Sequence, residues 1–205
     1  EDGYIGIYPK GFRFHFGICD GELWSQRCAL LGLLAYYEFT GRSNVLAAVE
    51  RAVKLTIRQY GPDKSYFSNP EQEGNGVAHG LMFLDVLEWL YRLTSDDEYR
   101  RAAIFFYSDF SASKAVQNAD LQLAKLLNPE GPLGGHGPDV MGILRVPLLC
   151  YYLSGDPTYW KAWQNSTRKM EQLLGVGGSP LSGQREEIIL KDRNPGLPYE
   201  YCSTF

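Results

Sequence analysis

Three stretches of this 205-residue chain can be laid over one another, and no other feature limits its fold as much. They read YEFTGRSNVLAA, YRLTSDDEYRRA and YLSGDPTYWKA. Tyr37, Tyr91 and Tyr151 or Tyr152 precede a Thr or Ser, and Gly41, Ser95 and Gly155 mark the turn. Val45, Tyr99 and Tyr159 come four residues later, and Ala48, Ala102 and Ala162 three after that. The turn residues lie 54 and then 60 residues apart. Each turn joins two runs with helical apolar spacing. A helical hairpin recurring at this interval points to toroidal or solenoid stacking. The small alanines would let the second helix of each pair approach its neighbour closely.

The first pair is expected over 21–41 and 43–61, with Leu23, Leu30, Leu33, Leu34 and Tyr37 near helical spacing. Gly41 suits its C-cap, and Ser43 or Asn44 the next N-cap. The second pair spans 79–95 and 96–113. A short helix follows over 118–131, and the third pair covers 140–156 and 157–175. Pro147 falls inside that pair and predicts a kink or a late start. Residues 1–20, 61–78 and 131–139 read as loops. Nine or ten helices are expected from this length, against about twelve for a closed ring of six hairpins. The expectation is a single all-α domain over 1–205: most of a toroid, with the closing segment beyond Phe205.

Composition removes several functions. The net charge of −4, with no basic stripe, gives no support for a nucleic-acid partner. No apolar run approaches the roughly 18 to 20 residues of a membrane span. Fourteen tyrosines, four tryptophans and ten phenylalanines make up 14% of the chain. Such rings pack cores, and those with a polar edge also suit surfaces that hold sugars. Cys19, Cys28, Cys150 and Cys202 match no zinc-ribbon or CxxC spacing; their even number permits two disulfides without demanding them.

Candidate chemistry gathers at two kinds of place. His79, after EGNGVA, and His136, in GGHGPD, both sit at loop-to-helix junctions, where side chains can converge on a ligand. Either could bond to hydroxyls or a leaving group, or simply bond locally at a helix start; His15, in the irregular N-terminal segment, is a weaker candidate. Near the other end stand Glu186 and Glu187, then Glu200 and Cys202. A carboxylic acid near a second nucleophile is the minimum kit for glycoside cleavage. A thiolate serves as nucleophile when its pKa is lowered, which a bound metal does well. Glu and Cys two residues apart can reach one zinc ion, which takes four ligands. Taken bare, a cysteine is most often a small buried hydrophobe and a Glu pair a solvated surface.

The order of motifs resembles the bacterial β-L-arabinofuranosidase family of glycoside hydrolases, family 127 and its relatives. DGYIGIYP is similar to the family's Asp-Gly-Tyr-Leu-Gly stretch, and GLLAYYEFTGR to its helix ending in Tyr-x-x-Thr-Gly. HGLMFLDVLEWLYRLTSDDEY and GGHGPDVMGILR are similar to its two histidine-led helices, and SGQREE through YEYC to the segment ending in its Glu-Thr-Cys motif. The resemblance implies an (α/α)6 barrel and a retaining mechanism with a zinc-bound cysteine thiolate as nucleophile. It implies Glu186 as acid/base, with Glu187 as the fallback register. Glu200 and Cys202 would be zinc ligands, and His79 and His136 would line the sugar pocket. It also favours a periplasmic or extracellular location. Four departures stand beside it, one being that the segment around Glu186 is shorter than in the family's best-known members. Glu-Tyr-Cys replaces Glu-Thr-Cys. A histidine of the family's first barrel helix has no counterpart in GELWSQRCALLG, where Cys28 or Trp24 lies near its place. The later Cys-Cys motif that supplies the nucleophile does not occur in 1–205.

The sequence thus supports a carbohydrate-cleaving enzyme, with this chain an incomplete stretch of it. Two alternatives stand: a non-catalytic carbohydrate-binding relative, and a helical-repeat interaction protein with buried histidines and a concave protein-binding face.

Overall fold

The computed structural model describes residues 2–14, 21–67, 77–114, 118–174 and 188–189. The chain is all-α, with one two-residue ladder among the described residues. It divides into two compact units, Glu1–Phe110 and Ser111–Phe205. The first holds α1 (Glu22–Thr40), α2 (Ser43–Ile57), a 3-10 turn (Val77–Phe83) that runs into α3 (Leu84–Thr94), and all but the last two residues of α4 (Asp97–Ala112). The second holds a 3-10 turn (Ala119–Leu121), α5 (Leu123–Leu127), β1 (Gly135–His136), α6 (Gly137–Ile143), α7 (Val146–Ser154), α8 (Pro157–Glu171) and β2 (Ile188–Ile189). Among the described residues no helix is long and apolar enough to cross a membrane.

The three hairpins are α1–α2, α3–α4 and α7–α8, and their turns are built alike atom by atom. Gly41, Ser95 and Gly155 are left-handed, with φ of 68°, 57° and 72°. Their N–H groups donate to the carbonyls of Tyr37, Tyr91 and Tyr151 at 2.7, 2.8 and 2.7 Å. This single bond satisfies a carbonyl that the helix end would otherwise leave open. Just before each turn a hydroxyl bonds one helical turn back: Thr40 to Tyr36, Thr94 to Leu90 and Ser154 to Cys150. The same hydroxyls then accept from the N–H groups of Arg42, Asp96 and Asp156. The Thr or Ser of the repeat is therefore a hydrogen-bonded hinge pin.

These bonds also set where the second helix begins. Arg42, Asp96 and Asp156 offer their carbonyls to Val45, Tyr99 and Tyr159. The cap of α2 is thus Arg42, without a side-chain bond, rather than Ser43 or Asn44. Asp156 does cap α8, accepting from the Thr158 N–H at 2.8 Å, and that bond holds its carboxyl below the usual range. Pro147 produces a late start: it lies in the first turn of α7, where no N–H is required, and α6 ends before it.

Aligned on their turns, Ala52, Phe106 and Ser166 are all buried, as are Thr56, Phe110 and Met170. The repeat therefore reaches from turn to core. The alanine expectation holds for Ala162, which is fully buried. Ala48 and Ala102 are only half-buried, and the core positions there are Val49 and Ala103, one residue further round the helix. Leu23, Leu30 and Leu34 are fully buried, while Leu33 and Tyr37 are half-buried.

Each unit spends polar side chains inside. Glu22, 1% exposed, accepts from the Tyr4 hydroxyl at 2.6 Å, the Gln26 amide at 2.7 Å and the Phe14 N–H at 3.0 Å. Gln26 in turn accepts from the Thr56 hydroxyl at 2.6 Å. One carboxylate thus fastens the N-terminal loop to α1, and its neighbour fastens α1 to α2. A buried charge is tolerable only with such donors. Burial and the Glu22 bond push the Tyr4 hydroxyl pKa well up, so it stays a donor. In the second unit, Asn165 donates to the carbonyls of Leu126 and Leu127, and Lys169 to that of Lys125. Together they close the C-terminal end of α5, where a cation suits the helix dipole.

The turn geometry makes an opposed pair of expectations. Ser95 is exposed, so Ser95→Gly removes only the strain of its left-handed backbone and should stabilise by about 1 kcal/mol. A Cβ on Gly155 would touch nothing, so Gly155→Ala should destabilise by a similar amount through backbone strain alone. Urea unfolding of both variants checks the signs.

Candidate functional site

His79 lies on the 3-10 turn that leads into α3, rather than at the first turn of an α-helix. Its position is fixed from both sides in sequence. Upstream, Asp109 on α4 holds the preceding loop, accepting from the Ser65 hydroxyl at 2.5 Å and from the N–H groups of Tyr66 and Phe67 at 3.0 and 3.1 Å. Tyr66 is fully buried in an edge-to-face aromatic cluster with Tyr60 and Phe67. Its ring lies directly on Gly80, where an added Cβ would come within 2.6 Å of it. Glycine beside His79 therefore lets the buried ring touch backbone.

The half-buried His79 ring packs against Trp24 of α1, with centroids 5.6 Å apart and planes tilted by 55°. The buried stripe of α1 consists of Glu22, Leu23, Gln26, Leu30 and Leu34. Trp24 stands off that stripe and is 46% exposed. Three residues along, Arg27 directs its Nε and Nη2 to one oxygen of Asp85 on α3, at 2.8 and 2.6 Å. Both partners are largely shielded, so this pair is more than a solvent-swept surface bridge. Cys28, on the same face one turn from Trp24, is exposed. An imidazole, a half-exposed indole and a fixed ion pair thus share one face of the first unit. Such a surface offers hydrogen bonds beside an apolar plate.

In the second unit His136 is placed by its backbone. It lies on β1, which pairs antiparallel with β2: Gly135 opposite Ile189 and His136 opposite Ile188. The tight loop expected here is thus half of a ladder. Asn118, itself left-handed at φ 61°, donates to the fully buried Asp139 carboxylate at 2.6 Å. Its amide oxygen lies where a Cβ on Gly135 would fall, and Gly135 has φ 143°, so only glycine fits before His136. Burial raises the pKa of Asp120, opposed by the bond it accepts from the Gly134 N–H.

Glu186, Glu187, Glu200, Cys202 and His15 lie outside the described residues. Among the described residues no cluster of three or more His, Cys, Asp or Glu could hold a metal ion. Cys28 and Cys150 are free thiols. Burial pushes the Cys150 thiol up to about 12, which makes it a packing residue and no thiolate. His79 and His136 fall in different units. Sequence reasoning missed Arg27–Asp85, whose partners are 58 residues apart, and Asp109. Trp24 alone carried a signal, as a large apolar residue off the apolar stripe.

Among solved structures, a GH127 β-arabinofuranosidase is similar to this chain in fold, with a TM-score of 0.61 and 18% sequence identity. The match covers 80% of this chain and 25% of that one, so the chain spans a quarter of that protein's length. No family model matches the sequence, and no curated protein matches it.

The Tyr66–Gly80 contact generates a further expectation. Because Tyr66 is enclosed, Gly80→Ala should cost about 1 to 3 kcal/mol as an overpacking change. It should also displace the His79 ring, visible as a shift of its imidazole NMR signals. An unmoved imidazole in a stable variant would show that Tyr66 does not set its position.

Proposed function

We propose that this chain is part of a glycoside hydrolase that acts on L-arabinofuranoside-type glycan side chains with retention of configuration. The observation that carries the reading is the fold likeness to the β-arabinofuranosidase, reached independently of the motif order in the sequence. The same likeness supports assembly of the hairpins into an (α/α)6 barrel.

In this reading Glu186 is the acid/base. It gives a proton to the departing glycosidic oxygen and later takes one from water, as retaining enzymes require of one carboxyl group. His79 and His136 bond to sugar hydroxyls. The β1–β2 ladder supports the joint role of these segments, because Ile188, which pairs with His136, stands two residues after Glu186 in the chain. Glu200 and Cys202 offer a carboxylate oxygen and a thiolate sulfur, both ordinary zinc donors, and would hold that ion with ligands from elsewhere. Bound zinc keeps a coordinated thiol deprotonated at neutral pH. The attacking thiolate of the resembled family comes from a Cys-Cys motif that residues 1–205 do not contain.

The full-length protein should release L-arabinose from β-L-arabinofuranosides. Failure to cleave these or related furanosides overturns the reading. Glu186→Gln should lower turnover by roughly 10² to 10⁴ and leave the unfolding transition unchanged. The loss should be smaller on substrates with an activated leaving group, which need less protonation. Cys202→Ser should lower bound zinc, measured by elemental analysis, and activity with it; unchanged stoichiometry would remove Cys202 from the ligand set.

A further inference from the structure

We infer that Trp24 is the stacking platform of the His79 site, on which a neutral sugar ring lies with its C–H face against the indole. The inference rests on the glycan reading above and adds the residue that fixes how the sugar is presented.

Tryptophan is among the more deeply buried side chains on average, and Trp24 is nearly half exposed. Exposure alone does not distinguish it, because α1 also exposes Tyr36 and Phe39. What sets Trp24 apart is its surroundings. Its ring is braced at 5.6 Å by the His79 imidazole, and the Arg27–Asp85 pair lies three residues along the same helix. Tyr36 instead has the Arg42 guanidinium 6.0 Å from its ring centre, and Phe39 is almost wholly exposed.

The chemistry matches one ligand class. An aromatic face is electron-rich and attracts polarised C–H bonds, which a sugar ring presents together on one side. Its hydroxyls project from the rim and need donors and acceptors at the edge of the plate. An imidazole at the edge of an indole supplies that pairing. An apolar peptide would use the plate but leave the imidazole and ion pair desolvated and poorly matched. The tilt between the two rings leaves them as a wall and a floor, so a ring seated on Trp24 directs one edge to His79.

The test uses the full-length protein with methyl β-L-arabinofuranoside and L-arabinose as probes. Calorimetry should show that Trp24→Ala weakens binding about ten-fold while Trp24→Phe, which keeps a face, loses only about three-fold. Ligand should quench tryptophan emission in the wild type, with the change diminished in Trp24→Phe. Alkylation of the exposed Cys28, one turn from Trp24, should slow when the sugar is present. Equal binding by wild type and Trp24→Ala, with Cys28 labelling indifferent to ligand, overturns the platform and leaves the enzymatic reading standing. A wild type that neither binds nor cleaves these sugars overturns both.

Discussion

Each hairpin depends on a residue held at positive φ, with its N–H bonded to a carbonyl four residues back. The bond closes the end of the first helix and reverses the chain. A hydroxyl one position earlier then seats the start of the second helix. Because the reversal has the same geometry at Gly41, Ser95 and Gly155, the second helices start in a common register. Their buried positions coincide in all three: Ala52, Phe106 and Ser166, then Thr56, Phe110 and Met170. Local backbone chemistry thus determines which face of each helix the core receives.

The polar groups inside the two units bind irregular chain to regular chain. Glu22 gathers the N-terminal loop, and Asp109 gathers residues 65–67. Asn165 and Lys169 finish a helix too short to be stable alone, and Asn118 wedges between Asp139 and Gly135. In three of these cases groups of a loop, and in the other the last carbonyls of α5, find partners that water would otherwise supply. The histidines flagged by the sequence lie in segments positioned in this way. His79 immediately precedes Gly80, on which Tyr66 lies, and His136 follows the wedged Gly135. Rigid elements thus support the loops, as a binding site on a helical scaffold requires.

What was legible in the sequence was what is local. The hairpins, the turn residues and the effect of Pro147 all follow from spacings of a few residues, and the fold likeness agrees with the all-α reading. Boundaries were less legible: α2 begins at Ser43 because the Thr40 hydroxyl and the Arg42 carbonyl set the start, and no cap preference competes with that. Long-range partners left almost no trace. Nothing in the letters ties Arg27 to Asp85, Ser65 to Asp109 or Trp24 to His79, since each pairing exists only after helices pack. The ladder at His136 was hidden for the same reason, its partner being 52 residues away. The roles of Glu186, Glu200 and Cys202 rest on the family resemblance, because neither spacing nor the described residues reach them.

The Asp109 clamp has a bearing on how such a chain can diverge. Asp109 sits fourteen residues beyond the Ser95 reversal, and an α-helix turns by about 100° per residue. Inserting or deleting one residue of α4 before Phe106 would swing the carboxylate away from Ser65, Tyr66 and Phe67 and rotate Phe106 and Phe110 out of the core together. Length variation in this lineage should therefore be excluded from the helix between positions 97 and 109 and concentrated in the connections outside it. The surface loops can drift in size while the distance from reversal to clamp stays constant.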